Sequence, residues 1–176
     1  MDYRPITSAL RASFFNYLSD NIKECIFLDG FAGTGILGFE ALSRGASKII
    51  FVEQNHAAAL LIEKNIHHLG QTKNGKVICT RIEKFLKQPF SASQLNIIFL
   101  DPPFIYPQEG IKKLLEYIIR NRLLSNHGII AVRYQKYRGK LQLEYDELRL
   151  IKEFKESEAY LAIYQCTFFS AEKPSE

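Results

Sequence analysis

The chain has no tryptophan and a single methionine, Met1, among its 176 residues. Cysteine is scarce too: Cys25, Cys79 and Cys166 are the whole supply. An odd count argues against a disulfide framework, and no pair has metal-ligand spacing. Each cysteine sits in or beside an apolar run, so all three are expected to be small buried residues. The four histidines, His56, His67, His68 and His127, form no ligand cluster, and no metal is expected. His67 and His68 end a helical stretch, where imidazole suits the dipole, and His56 and His127 are read as surface residues. No Ser-His-Asp or Cys-His constellation has a supporting context. Apolar runs fall well short of the roughly 20 residues that span a bilayer. The opening Met1-Asp2-Tyr3-Arg4-Pro5 lacks the apolar stretch of a secretory leader. A cytoplasmic protein with no membrane partner is expected. Repeats, low-complexity segments and linkers are also missing. Residues 1–176 are therefore read as one domain, expected to be a monomer, with a helical N-terminal segment over 1–20 and a frayed tail over 170–176.

The formal net charge of +4 is compatible with a nucleic-acid partner without requiring one. Its distribution says more. Arg133, Lys136, Arg138 and Lys140 cluster with Tyr134 and Tyr137, and acidic residues return from Glu144 to Glu158. A basic-aromatic stretch of this kind can touch phosphates and stack on a base. A solvated loop is the alternative.

Hydrophobic periodicity predicts helices over 7–18, 36–43, 57–69 and 110–122, with a short helical piece over 83–87. Buried strands are predicted over 25–28, 48–52, 76–80, 96–100 and 128–134. Two further strands are read over 141–151 and 159–169, where apolar residues partly alternate. Strands alternating with helices imply an α/β fold, a doubly wound and mostly parallel seven-stranded sheet covered on both faces. Ligands of such sheets bind beyond the carboxyl ends of the strands, where strand order reverses. Asp29, Glu53 and Asp101 all fall at predicted strand carboxyl ends, which puts three acids on one rim.

The first of these acids opens the loop Asp29-Gly30-Phe31-Ala32-Gly33-Thr34-Gly35-Ile36-Leu37-Gly38. Gly33, Gly35 and Gly38 satisfy G-x-G-x-x-G between a strand and a helix, and Glu53 follows Gly35 by 18 residues. That pattern alone fits a dinucleotide site. Asp29 discriminates, because a carboxylate over the loop would repel a pyrophosphate. It suits S-adenosylmethionine, which has no phosphate and carries a sulfonium and an ammonium. The glycines permit close backbone approach, and Glu53 can accept from both ribose hydroxyls.

Asp101-Pro102-Pro103-Phe104 follows the fourth strand. Two prolines fix two φ angles and remove two donors, leaving a stiff loop with protruding carbonyls. The nitrogen of an exocyclic base amine is a weak nucleophile, because its lone pair is delocalised into the ring. The Asp101 carboxylate and the Pro102 carbonyl can hold its two N–H groups and aim the lone pair at an in-line methyl group. Phe104 would stack on the base, a contact of about 1–3 kcal/mol. A rigid surface turn is the alternative, and the shared rim argues against it.

On these residues the sequence resembles the RsmD-type family, bacterial methyltransferases of guanine N2 in 16S ribosomal RNA. The block from Asp29 through Phe31-Ala32-Gly33-Thr34-Gly35 to Gly38-Phe39-Glu40-Ala41-Leu42-Ser43-Arg44-Gly45-Ala46 carries most of it. Glu53, Asn65 and Asp101-Pro102-Pro103-Phe104 follow in order, and Arg4-Pro5, Thr7, Arg11, Phe15, Asn16 and Leu18 resemble the segment before the first strand. The resemblance implies a Rossmann-like class I methyltransferase fold with an antiparallel C-terminal strand. It also implies S-adenosylmethionine as cofactor and 16S ribosomal RNA or the small ribosomal subunit as partner. Cofactor contacts are then expected from Thr7, Asp29, Phe31, Ala32, Gly33, Thr34, Gly35, Glu53, Gln54, Arg81 and Ile82. Asp101, Pro102, Pro103 and Phe104 would be catalytic. Several features depart from the family. Its basic N-terminal hairpin is expected to have no counterpart ahead of Tyr3-Arg4, Ile6 stands where Thr is usual, Ser8 and Ala9 stand near a usual charged pair, and Arg81 stands where an Asp or Asn often meets adenine. Arg81 cannot accept a hydrogen bond. Three rival readings stand beside this one: an adenine-N6 methyltransferase on DNA or RNA, a nicotinamide-dependent oxidoreductase and a non-catalytic RNA-binding relative.

Overall fold

A computed structural model describes residues 5–88, 95–143 and 145–168. The expected frayed tail over 170–176 and the first four residues of the N-terminal segment lie outside the described residues. The chain runs α1 (Ser8–Leu18), β1 (Ile26–Asp29), α2 (Ile36–Ser43), β2 (Lys48–Glu53), α3 (His56–His68), β3 (Gly75–Cys79), α4 (Ile82–Leu86), β4 (Leu95–Leu100), α5 (Gln108–Arg120), β5 (Leu124–Gln135), β6 (Leu148–Lys155) and β7 (Ala159–Cys166). Short 3-10 turns follow α1 and β5. The seven strands form one sheet of order β3-β2-β1-β4-β5-β7-β6. The first five are parallel, and β7 is antiparallel to both β5 and β6. Strand order reverses between β1 and β4, where Asp29 sits beside Phe99 and Asp101 follows Leu100.

Strand alternation divides the core. Phe27, Ile49, Phe51, Ile97, Phe99 and Ala131 face α1, α2 and α3, where Phe14, Leu37, Ala41 and Ile62 meet them. Leu28, Ile50, Val52, Ile98, Leu100, Ile130 and Val132 face α4 and α5. The α5 helix presents Ile111, Leu114, Leu115 and Ile118 as one i, i+3, i+4, i+7 stripe. Phe14 joins α1 to the sheet, its ring 5.0 Å from Phe99 in an edge-to-face pair. Thr7 starts α1 by accepting the Leu10 N–H at 3.2 Å, and Asn55 starts α3 by accepting the Ala58 N–H at 3.0 Å. His67 and His68 do lie in the last turn of α3, and His56 and His127 are exposed.

Three expectations need correction. The strand read over 141–151 is displaced, because β6 begins only at Leu148. Leu141, Leu143 and Tyr145 alternate like a strand but pack against the core on the α5 side, and the Tyr145 hydroxyl donates to the Lys112 carbonyl at 3.3 Å. Second, β5 starts at Leu124, four residues before its apolar run, with an irregular register opposite Leu95 and Ile97. Third, Cys25 and Cys166 are buried but Cys79 is exposed at the end of the edge strand β3.

Candidate active site

The glycine loop is fastened on both sides. The Gly30 N–H donates to the Phe99 carbonyl of β4 at 2.9 Å, and the Ala32 N–H donates to Val52 of β2 at 3.1 Å. Gly33 and Gly35 adopt φ of 54° and 78°, a left-handed geometry that other residues reach only with strain. Gly38 has a packing role instead. A Cβ there would stand 2.1 Å from Phe51 Cε1, so its absence lets α2 lie against β2. Thr34 and Gln54 are exposed, Ala32 is buried, and Phe31 is half-buried with its ring edge-on to Tyr106 at 5.5 Å.

Asp29 is 1% exposed, and its Oδ2 accepts the Gly38 N–H in the first turn of α2 at 3.1 Å. Burial pushes its carboxyl up to about 7. The Gly38 N–H opposes that shift, and the nearby Asp101 and Glu53 charges add to it. No cation pairs with Asp29 among the described residues. Glu53 ends β2 partly exposed, with Oε2 accepting from Gly33 N–H at 2.8 Å and Oε1 from Asn55 N–H at 2.7 Å. Each oxygen keeps lone-pair capacity for a hydroxyl donor. Arg81 precedes α4 in an extended conformation, its side chain solvent-facing and 3.6 Å from Glu83, while Ile82 is buried.

Asp101 is 3% exposed and Pro102 is buried beside it. The Pro103 carbonyl accepts the Tyr106 N–H at 2.8 Å, closing the turn. Arg133 Nη1 donates to Asp101 Oδ1 at 3.1 Å, and the Arg133 guanidinium lies 5.1 Å from the Phe104 ring centroid. Burial raises the Asp101 carboxyl to about 6, with Arg133 pulling it down and Glu156 pushing it up. Thr7, expected near the cofactor, gives its hydroxyl to Glu156.

Arg133 therefore corrects the sequence reading of a basic surface stretch. It is 4% exposed, and Tyr134 belongs to the core, whereas Lys136, Arg138, Lys140 and Tyr137 are exposed. A signal was available, because Arg133 shares the inward register of Ile129 and Ala131. A charge at such a position requires a buried partner. Glu156 lies in the turn between β6 and β7, and no local pattern marks it. Among the described residues there is no group of three or more His, Cys, Asp or Glu that could hold a metal. None of their helices is long and apolar enough to cross a membrane.

Sheet order, rim acids and glycine loop together define a Rossmann-like methyltransferase fold. The chain belongs to the family described as "Conserved hypothetical protein 95", whose profile matches residues 1–165. Named relatives include "Ribosomal RNA small subunit methyltransferase D" of Haemophilus influenzae, 37% identical over 136 residues, spanning 76% of this chain and 68% of that one. The protein of the same name from Buchnera aphidicola is 33% identical over 162 residues, spanning 92% and 80%. The solved structure of the methyltransferase yhhF from Escherichia coli superposes with a TM-score of 0.84 at 29% identity, covering 94% of this chain and 89% of that one. An RNA methyltransferase from Salinibacter ruber in complex with S-adenosyl-L-homocysteine shares the fold at 11% identity and a TM-score of 0.69, covering 98% of this chain and 100% of that one.

Proposed function

We propose that this protein transfers a methyl group from S-adenosylmethionine to the N2 amine of a guanine in 16S ribosomal RNA of the small subunit. The observation that carries the reading is Asp101, buried beside Pro102 and Phe104 at the point where strand order reverses, on the same rim as the glycine loop. The names of the relatives at 33% and 37% identity support the substrate class.

The cofactor supplies a methyl group on a sulfonium. The residues of the loop fit its chemistry. Asp29 offers a buried carboxyl that meets no cation among the described residues, Gly33 and Gly35 keep the backbone bare, and Glu53 accepts from the ribose. Phe31, Ala32, Thr34, Gln54, Arg81 and Ile82 border the same rim. Asp101 and the Pro102 carbonyl accept the two N–H groups of the amine, and Phe104 stacks on the ring. With a carboxyl near 6, Asp101 is about nine-tenths ionised at pH 7 and acts as an acceptor. With the cofactor bound, its sulfonium would supply the methyl group and leave as the neutral thioether, and Asp101 or solvent would take the proton that the amine gives up. Positioning and stabilisation of charge on nitrogen account for the acceleration.

The test offers labelled S-adenosylmethionine and the protein small ribosomal subunits, naked 16S RNA and duplex DNA in parallel. Label recovered as N2-methylguanine from RNA is the expected result. Label only in adenine would replace the base assignment, and no label, with cofactor binding intact, would refute catalysis.

A further inference from the structure

The groups around Asp101 extend beyond the motif. Arg133 reaches Asp101 Oδ1 at 3.1 Å and Oδ2 more weakly at 3.5 Å. Its Nε and Nη2 donate to Glu156 Oε2 at 3.2 and 3.0 Å. Glu156 Oε1 accepts from the Thr7 N–H at 3.3 Å and from the Thr7 hydroxyl, and Thr7 in turn caps α1. One chain of contacts thus ties the start of α1, the β6–β7 turn and the end of β5 to the loop after β4.

The geometry points to Arg133 and Glu156 as positioning residues of the transfer. Arg133 fixes the ionised Asp101 carboxylate and the Phe104 ring in one arrangement, and Glu156, anchored by Thr7, fixes Arg133. A guanidinium is a rigid planar fork, so a turn toward either carboxylate sacrifices the other bond. An amine acceptor must stay ionised and keep a lone pair free. Arg133 serves both needs, since it binds chiefly Oδ1 and supplies the compensating charge. A buried carboxylate without that charge takes up a proton. Glu156 from the β6–β7 turn also faces Asp101 and opposes its ionisation, and Asp29 from β1 is the neighbouring acid whose own carboxyl the Asp101 charge pushes up.

The consequence is a pair of opposite shifts. In the full chain, the Asp101 carboxyl is followed by its carbon-13 resonance across the pH range, assigned with Asp101→Asn. Arg133→Gln removes the attracting charge, and the midpoint should rise by about 1–3 pH units. Glu156→Gln removes a repelling charge, and the midpoint should fall. Arg133→Lys keeps the charge and loses the fork. Its midpoint should stay near the wild-type value while kcat drops and the KM for cofactor holds. The acid limb of transfer to small subunits should move with the midpoints. A role limited to holding the fold would lower activity without opposed shifts. An unmoved midpoint, or the same direction in both charge-removing variants, overturns the inference. If Arg133→Gln does not fold, Glu156→Gln and Arg133→Lys decide alone. The inference rests on the proposed transfer only for the kinetic readout. Resonances that shift as expected while the wild type methylates no RNA would refute the transfer and support the hold on Asp101.

Discussion

Replacing Asp29 with Asn should make the free protein more stable and the cofactor complex weaker. The carboxyl is raised from 3.8 to about 7 by burial, so the folded state favours its neutral form. The sign follows from linkage. Between pH 4 and 7 the unfolded chain has released this proton while the folded chain still holds it. Asp29 therefore costs nothing at low pH and destabilises increasingly as pH rises to about 7. The difference of about three pH units corresponds to an upper bound of about 4 kcal/mol at pH 8. Asn keeps an oxygen for the Gly38 N–H and carries no charge to desolvate. Denaturant unfolding of wild type and Asp29→Asn across that range should show Asn more stable at pH 8, with the gap closing toward pH 4. A parallel pair of stability curves, or an Asn variant weaker throughout, would refute the reasoning.

The same carboxyl should govern binding. If the cationic ligand needs the ionised form, affinity depends on the ionised fraction, which is about one in ten at pH 6 and nine in ten at pH 8. Affinity for S-adenosylmethionine should therefore fall about tenfold from pH 8 to pH 6 in the wild type. At pH 7, binding should release about half a proton, visible in calorimetry as a dependence on buffer ionisation enthalpy. In Asp29→Asn the affinity should be low, and the part of the pH dependence that Asp29 supplies should vanish. Equal affinity in the two proteins would remove Asp29 from the cofactor site.

Four further outcomes are expected. Asp101→Ala should abolish methyl transfer while leaving cofactor affinity within about twofold, because on the proposed reading Asp101 serves the amine and not the cofactor; full activity would exclude it from the reaction. Glu53→Ala should weaken cofactor binding by about tenfold or more by removing the proposed ribose acceptor and the observed partner of the Gly33 N–H, which calorimetry would measure. Gly38→Ala should destabilise the fold by about 1–3 kcal/mol through contact with Phe51, lowering Tm by several degrees. Phe14→Ala should cost about 3–5 kcal/mol in denaturant unfolding, since it opens a cavity between α1 and Phe99.

The parallel half of the fold was legible because its signals are local. The Asp29 and Asp101 strand ends, the glycine loop and the helical periodicity over α5 each lie within a short window. The tail was less legible. Leu141, Leu143 and Tyr145 have strand alternation, but their partners are on α5 rather than on a neighbouring strand, and periodicity does not name the surface that is covered. Cys79 was misplaced because an edge strand leaves one side open. The site divides in the same way. Its contiguous pieces, Asp29 to Gly38 and Asp101 to Phe104, can be marked as candidates from short windows, whereas the Arg133–Glu156 pair spans 23 residues and a chain reversal. Arg133 looked like part of a basic stretch because composition does not record which side of a strand a residue faces.

The two buried acids at the switch point illustrate how position alone separates two roles. Asp29 ends β1 and Asp101 directly follows its neighbour β4, and both are almost fully buried. Their difference lies in the third dimension. Asp101 has Arg133 against it, a cation it shares with Glu156, so its charge is partly balanced, and what it offers is a directed lone pair. Asp29 has a backbone N–H and, among the described residues, no cation, so its carboxyl resists ionising until something positive arrives. On the proposed reading, Asp29 attracts the sulfonium-bearing cofactor and Asp101 holds a neutral amine. Exchanging their environments should exchange their preferences. Arg133→Gln, which leaves Asp101 as bare as Asp29, should impair amine methylation far more than cofactor binding, and equal losses in both would contradict this division of labour.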